Sequence, residues 1–134
     1  MLDTYKGEMD EVVYRRCRYV VDENQRLLDA CAALEKGDYV TFGQKMNGSH
    51  EGLSRQYEVS CDELDFLADI GHRTDGVLGA RMMGGGFGGC TINLVRAEAY
   101  DGYLAEATDR FAHRFGHAPR VIEVNISQGA RRIG

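Results

Sequence analysis

The sequence predicts an α+β fold in which a small antiparallel sheet is covered by helices on one face. Apolar residues recur every three or four positions over the first third of the chain, which is typical of helices. Two short segments with alternating apolar residues, Val77–Met83 and Cys90–Val95, flank a run of glycines. A chain of 134 residues can bury a core of its own, so one domain over residues 1–134 is expected.

Composition excludes several classes of function. A net charge of −5 argues against binding to nucleic-acid phosphates. No apolar run approaches the roughly 20 residues of a membrane span, and the N-terminus MLDTYKGEMDE lacks the apolar core of a signal peptide. The cysteines form no CxxC pair, so we expect a cytoplasmic protein with reduced packing cysteines and no zinc site. They are Cys17, Cys31, Cys61 and Cys90.

Residues from about 10 to 58 are predicted to form a pair of helices. The first helix carries one apolar stripe that we expect to face the core, interrupted by Asn24. Gly37 suits the end of this helix, and Asp38 suits the N-cap of the second. The stripe consists of Val13, Cys17, Val20, Leu27, Cys31 and Leu34.

The second helix carries its apolar residues on one side but contains three glycines, each of which weakens a helix by up to about 1 kcal/mol relative to alanine. Two interpretations are open: the glycines permit close approach by another backbone, or they mark where the helix frays. The apolar residues are Tyr39, Phe42, Met46, Leu53 and Tyr57, and the glycines are Gly43, Gly48 and Gly52.

A third helix is expected to begin within the segment YEVSCDELDFLAD. Ser60 and Glu63 have the spacing of a capping box, in which each side chain bonds a backbone N–H of the other residue. Asp62, Glu63 and Asp65 form an acidic cluster that raises the question of metal binding or acid–base catalysis. Capping and solvation explain this cluster more simply. The residues expected to face the core are Leu64, Leu67 and Ala68.

The last half, about 59–134, combines this helix with an α/β part. The two strands should pair antiparallel across the glycine run, and a helix over 98–115 should end at Gly116. A third strand over 121–127 should join the same sheet. A sheet of three strands is thin, which leaves room for a fourth strand outside this chain. The apolar stripe of the 98–115 helix is Leu104, Ala107, Phe111 and Phe115.

The turn between the strands holds five glycines and one phenylalanine. A hairpin needs only two to five loop residues, so this composition indicates several positions with φ > 0 or close approach to bare backbone. No Gly-Lys-Ser/Thr follows, which excludes a Walker A motif, and a strand rather than a helix follows, which argues against a dinucleotide fingerprint. A hairpin packed on a neighbouring domain and a phosphate-facing loop both remain open. The loop residues are Gly84, Gly85, Gly86, Phe87, Gly88 and Gly89.

The segment MMGGGFGGCTINLV closely resembles the third signature motif of the GHMP small-molecule kinases, in the form that galactokinases carry. Three earlier segments, VVYRRCRYVVDEN, GDYVTFGQKMNGSH and YEVSCDELDFL, are similar in order and spacing to the C-terminal part of the same family. The resemblance covers residues 11–127. The sequence departs from the family pattern at Asp62, where proline is usual, at Met83, where threonine is frequent, and at Gly52, where serine is frequent.

This resemblance implies a ferredoxin-like C-terminal domain of a two-domain kinase that uses ATP and Mg²⁺ to phosphorylate the anomeric hydroxyl of galactose. It also implies that the glycine-rich loop closes on the cleft between the domains and supports the phosphate-binding loop of the other half. The Arg-Asn-Leu-Ile-Gly-Glu-His and Gly-Leu-Ser-Ser-Ser signatures of the N-terminal half do not occur in this chain. We therefore expect no catalytic residue here, an inactive chain when it is alone, and an N-terminal kinase domain as its partner.

Three further residues are candidate neighbours of that cleft. Ser49 and His50 form a family-like Ser-His pair, although His50 could simply pack in the core. Arg81 precedes the loop and could neutralise phosphate charge, but a cross-strand salt bridge is favoured. His113 and His117 lie four residues apart without a third ligand, so no metal site is expected. A non-catalytic galactose sensor and an interaction module remain alternative functions.

Overall fold

The structure is a computed structural model that describes residues 2–124 and 128–129. Within that part, four α-helices accompany one β-hairpin, which confirms the α+β prediction. The elements are α1 (Glu11–Glu35), α2 (Tyr39–Gly52), α3 (Asp62–Arg73), β1 (Val77–Met83), β2 (Cys90–Val95) and α4 (Tyr100–Phe115). Short 3-10 helices span Leu2–Tyr5 and Ala97–Ala99, and a π-helical turn over Leu53–Tyr57 continues α2. None of the helices described is long and apolar enough to cross a membrane.

The sheet has two strands in the part of the chain that the structure describes. β1 and β2 pair antiparallel, from Met83 opposite Cys90 to Val77 opposite Val95. The predicted strand over 121–127 is wrong for its first four residues, which have no regular secondary structure, and 125–127 lie outside the described residues. Val124 is 70% exposed. Alternation of apolar residues is a local pattern, whereas a strand also needs a partner edge and a surface to cover.

The edge of β1 that faces away from β2 is closed by side chains. The Ala80 N–H donates to Asn47 Oδ1 at 2.8 Å, and the Met82 N–H donates to His50 Nδ1 at 3.1 Å. On the same edge, His72 Nε2 lies 2.8 Å from the Ala80 carbonyl oxygen. Helices α2 and α3 thus satisfy backbone groups that an exposed edge strand would leave open.

Glycines allow α2 to lie directly against other elements. A Cβ atom on Gly79 of β1 would lie 2.6 Å from Gly43 Cα, and a Cβ on Gly52 would lie 2.6 Å from the Tyr19 ring of α1. Real Cβ atoms do not approach neighbours so closely. Close approach by another backbone is therefore the correct interpretation at Gly43. Gly52 instead makes room for a side chain, the Tyr19 ring. Helix α2 does not fray at either glycine, because helical structure continues to Tyr57.

The apolar stripe predicted to bury α1 is exposed. Val13, Val20, Leu27 and Leu34 are 44–62% exposed, so the expectation that this stripe faces the core is wrong. The buried residues of α1 are instead Tyr19, Ala30 and Ala33. Two of these three are small and let α1 lie close to α2, whereas the large residues of the predicted stripe remain without cover among the described residues.

Helices α3 and α4 bury the faces that the sequence predicted. Leu64 and Ala68 of α3 are 2% and 0% exposed, and Ala107 and Phe111 of α4 are 6% and 4% exposed. Helix α4 ends at Gly116, whose φ of 79° is the left-handed C-terminal conformation expected of glycine. Ile70, Tyr103 and Ala107 form a core cluster against Val77 and Val95, which fixes the open end of the hairpin. The opposite end carries the glycine-rich loop.

Candidate functional site

The glycine-rich loop, residues 84–89, turns through left-handed backbone conformations at five of its six positions. The φ angles are 80° at Gly84, 84° at Gly86, 57° at Phe87, 112° at Gly88 and 105° at Gly89. This confirms the prediction that several positions need φ > 0. Phe87 is the one loop residue with a Cβ among these five, and a side chain in this region costs about 1–2 kcal/mol. Such strain is found most often where function or close packing imposes it.

One side of the glycine-rich loop packs against the rest of the described protein, and the other side does not. On one side, the Phe87 N–H donates to the Val59 carbonyl at 2.7 Å, and a Cβ on Gly86 would lie 1.9 Å from the same oxygen. On the other side, Cβ atoms added at Gly84, Gly85, Gly88 or Gly89 would meet nothing within 4 Å. Only Gly86 is therefore required by packing within the described residues, and most of the loop presents bare backbone to open space.

A groove of about 820 Å³ runs from this loop along α4. The Phe87 side chain lies at its rim and is 78% exposed, which is unusual for a large apolar residue. Burial raises the pKa of Tyr103 in the wall of the groove to about 12. The groove is lined by Phe87, Gly88, Gly89, Tyr103, Leu104 and Ala107, among others.

His50 lies under the end of β1, with only 5% of its surface exposed. Its Nδ1 accepts the Met82 N–H, so the ring proton lies on Nε2, which is 3.1 Å from Asp65 Oδ1. Burial lowers the pKa of His50 and outweighs the opposing effect of the Asp65 carboxylate. His50 is thus a neutral side chain that joins α2 to β1 and α3.

Asp65 is a hydrogen-bond centre, which sequence reasoning missed. Its Oδ1 accepts the Ser60 hydroxyl at 2.5 Å, and its Oδ2 accepts the Ser54 hydroxyl at 2.8 Å. The predicted capping box is wrong, because Ser60 is bound to Asp65, and α3 begins after Cys61 without a side-chain cap. Solvation is therefore an insufficient explanation for Asp65. The available signal was the pair of serines, Ser54 and Ser60, that precede the acidic segment.

Ser49 and Arg81 meet at Glu23 of α1. The buried Ser49 hydroxyl donates to Glu23 Oε1, and Arg81 Nη1 lies 3.9 Å from the same oxygen. The expected cross-strand salt bridge of Arg81 is wrong, since its acidic partner comes from α1 instead. Of the three residues predicted near the cleft, the structure joins Ser49 and Arg81 through one carboxylate and places His50 in the Asp65 cluster.

Bacterial galactokinases are similar in sequence to nearly the whole of this chain. Galactokinase from Clostridium beijerinckii is 41% identical over 125 residues, which is 93% of this chain and 32% of the relative. Galactokinase from Streptococcus thermophilus is 44% identical over 122 residues, 91% of this chain and 31% of the relative. The chain therefore spans about a third of the length of the curated relatives that it matches.

Solved structures show the same domain. The crystal structure of Lactococcus lactis galactokinase complexed with galactose superposes with a TM-score of 0.81 at 34% identity, covering 88% of this chain and 31% of that one. L. major mevalonate kinase in complex with R-mevalonate gives a TM-score of 0.64 at 29% identity, covering 81% and 32%. The profile described as GHMP kinases C terminal matches residues 30–113. By fold and by sequence, the chain belongs to the GHMP kinases and corresponds to their C-terminal domain.

Proposed function

We propose that this chain is the C-terminal domain of a galactokinase, which transfers the γ-phosphoryl group of ATP to the anomeric hydroxyl of galactose. The observation that carries the proposal is similarity to galactokinases over more than nine-tenths of the chain. Similarity to a GHMP kinase that binds another ligand, mevalonate, is weaker in both TM-score and identity. This difference favours galactose over other substrates of the family.

The glycine-rich loop is the part of this chain that we assign to the phosphate side of the cleft. Successive backbone N–H groups in a turn can form a concave site that suits anions. Four of its glycines face open space, where a nucleotide or the second domain has room to approach. Phosphoryl transfer depends mainly on positioning and charge stabilisation, so a loop without reactive groups can contribute.

The three other cleft candidates have different roles in this proposal. Arg81 keeps 32% of its side chain exposed and is the cation that we assign to the neighbourhood of the phosphates. Ser49 and His50 are buried, 2% and 5% exposed, and are bound to other protein groups. We assign both to support of the site and neither to contact with substrate.

The catalytic groups and the Mg²⁺ ligands are assigned to the N-terminal kinase domain. Within residues 2–124 and 128–129, no three His, Cys, Asp or Glu side chains are grouped so as to hold a metal ion. Bound ATP would supply the transferred phosphoryl group, while this chain contributes loop backbone and the surface that supports it. The chain alone is expected to be inactive.

The exposed stripe of α1 supports a second domain as partner. Leu27 is 62% exposed, and Val13, Val20 and Leu34 of the same stripe are 44–48% exposed. Contiguous apolar surface on a protein marks interaction sites more often than free surface. Packing of the N-terminal kinase domain on this stripe would bury it.

A chimeric enzyme tests the proposal. In it, this chain replaces the matching third of the Clostridium beijerinckii galactokinase, and phosphorylation is measured with galactose, glucose and mevalonate. We expect ATP-dependent phosphorylation of galactose only, and none by this chain alone. A chimera that folds, by circular dichroism, but phosphorylates none of the three would overturn the proposal. Activity of the chain alone would overturn the division of labour between the domains.

The exposed stripe of α1 also favours a second candidate, a non-catalytic interaction module derived from a galactokinase. Such a module would use the stripe to bind a protein or a second copy of itself. Light scattering of the purified chain and of a Leu27→Gln variant distinguishes the two. A dimer that the substitution converts to a monomer favours the module, and a monomer in both cases favours the kinase domain.

A further inference from the structure

A closed ring of contacts runs through the three segments that surround the glycine-rich loop. It leads from the Met82 N–H to His50 of α2 at 3.1 Å, and from His50 Nε2 to Asp65 of α3 at 3.1 Å. Asp65 accepts the Ser60 hydroxyl at 2.5 Å. Val59, the neighbour of Ser60, accepts the Phe87 N–H at 2.7 Å. The loop backbone from 82 to 87 closes the ring.

The ring is placed where it can determine the position of the loop. Met82 is the last but one residue of β1, and Phe87 lies at the tip, so the first half of the loop, residues 84–86, lies between two held points. Between them, Gly86 lies so close to the Val59 carbonyl that even a methyl group would not fit. The free side of the loop has no comparable restraint among the described residues. Movement of Val59 or of the end of β1 would therefore move the loop.

The turn under the loop is itself held in place. Glu58 has a left-handed φ of 62°, and the Glu58 and Val59 N–H groups both donate to the Leu53 carbonyl. Ser54 donates to the second oxygen of Asp65 at 2.8 Å. The Asp65 carboxylate thus binds both ends of the segment 54–60. This holds the Val59 carbonyl where it can accept the Phe87 N–H of the loop.

We propose that His50 and Asp65 are positioning residues for the glycine-rich loop, acting through Met82 and Val59 without contacting substrate. A buried histidine is commonly just a satisfied part of the core. His50 differs because its two bonds join the strand that enters the loop to the carboxylate that holds the turn beneath it. The consequence for catalysis rests on the proposed kinase function. The consequence for loop position does not.

Two substitutions of His50 each remove one of its two hydrogen bonds and keep the other. In His50→Asn, the amide oxygen lies about where Nδ1 was, so the bond to Met82 is kept and the bond to Asp65 is lost. In His50→Gln, the amide nitrogen lies about where Nε2 was, so Asp65 keeps its donor and Met82 loses its acceptor. Hydrogen exchange of single amides in the 134-residue chain, measured by NMR, distinguishes these cases.

Exchange of the Phe87 amide should accelerate about tenfold in both variants, the effect of losing about one hydrogen bond. Exchange of the Met82 amide should accelerate in His50→Gln only. The Phe111 amide of α4, which takes part in none of the bonds of the ring, should change less than twofold. Equal acceleration at Phe87 and Phe111 would show a general loss of stability and overturn the proposal, as would an unchanged Phe87 amide.

The same substitutions in the chimeric galactokinase test the consequence for catalysis. The KM for ATP should rise at least about fivefold, while the KM for galactose should change less than twofold, because the loop is assigned to the phosphates. Equal changes in both KM values would overturn the catalytic part. If the unsubstituted chimera is inactive, the proposed function fails, and the exchange measurements still decide the role of His50.

Discussion

A Cβ atom on Gly43 of α2 would lie 1.9 Å from the Leu78 carbonyl oxygen of β1. The neighbour is backbone within a paired strand, which cannot move aside as a side chain could. We expect Gly43→Ala to lower the free energy of unfolding by about 2–4 kcal/mol, the cost of overpacking a rigid contact. Denaturation in guanidinium chloride measures this change.

Gly102→Ala is the matched control for Gly43→Ala. Gly102 lies near the start of α4, and a Cβ there would meet nothing within 4 Å. This substitution should raise the free energy of unfolding by up to about 1 kcal/mol, because alanine restricts the unfolded chain more than glycine does. If both variants lost a similar amount of unfolding free energy, the contact between α2 and β1 would be looser than described.

The loop glycines should differ sharply in their tolerance of a methyl group. Gly86→Ala combines a φ of 84° with a contact of 1.9 Å to the Val59 oxygen, and we expect a loss of about 2–4 kcal/mol in unfolding free energy. Gly85→Ala meets open space and should change it by less than about 0.5 kcal/mol. Thermal denaturation of both variants checks this order. A reversed order would contradict the loop geometry.

Stability should fall in mild acid because of His50. Burial lowers its pKa in the folded chain, so the unfolded chain binds more protons below the ordinary histidine pKa of about 6.5. The stabilising effect is complete above this pH and is lost as pH falls through the lower pKa of the folded chain. Three charged or titratable groups act on the His50 imidazole. The Asp65 carboxylate raises the pKa of His50, whereas His72 and Arg81 lower it further.

Unfolding free energies at pH 7.5, 6.5 and 5.5 measure this effect, and His50→Asn is the control because it has no imidazole at position 50. The difference in unfolding free energy between the natural chain and the variant should shrink as the pH falls. A difference that stays constant over this range would show that His50 does not titrate in the way the structure implies.

Substitution on the exposed stripe of α1 should cost little. Leu27 is 62% exposed, so Leu27→Gln should change the free energy of unfolding of a monomeric chain by less than about 0.5 kcal/mol. Ala33 lies on the buried face of α1 and is 6% exposed, so Ala33→Leu should lower the free energy of unfolding by about 1–3 kcal/mol through overpacking. A large loss of unfolding free energy in Leu27→Gln, with no change in oligomeric state, would show that the stripe is buried in the core after all.

Local patterns predicted the elements well and their contacts less well. The hairpin, the loop with positive φ and the end of α4 at Gly116 follow from residue types that only certain backbone conformations accommodate. The stripe of α1 was misplaced because periodicity shows which residues share a face and not what that face meets. Spacing predicts a capping role for Ser60, because it cannot reveal that the carboxylate of Asp65 competes for the Ser60 hydroxyl.

The candidate site was predictable in part for the same reason. The loop was visible as an excess of glycine, but the ring beneath it depends on three segments that the sequence separates by up to 37 positions, from His50 to Phe87. No spacing rule connects such residues. Asn47 and His50 lie three residues apart on α2, and only the position of β1 shows why both are polar.

The side-chain bonds along β1 also determine how copies of this chain could associate. A second chain that added a strand there would first have to displace Asn47 and His50 from the Ala80 and Met82 amides. Fibre growth by strand addition needs a free edge on each side of every copy. We therefore expect edge-to-edge association to stop at pairs of chains joined through β2. Such pairs would not extend into a fibre.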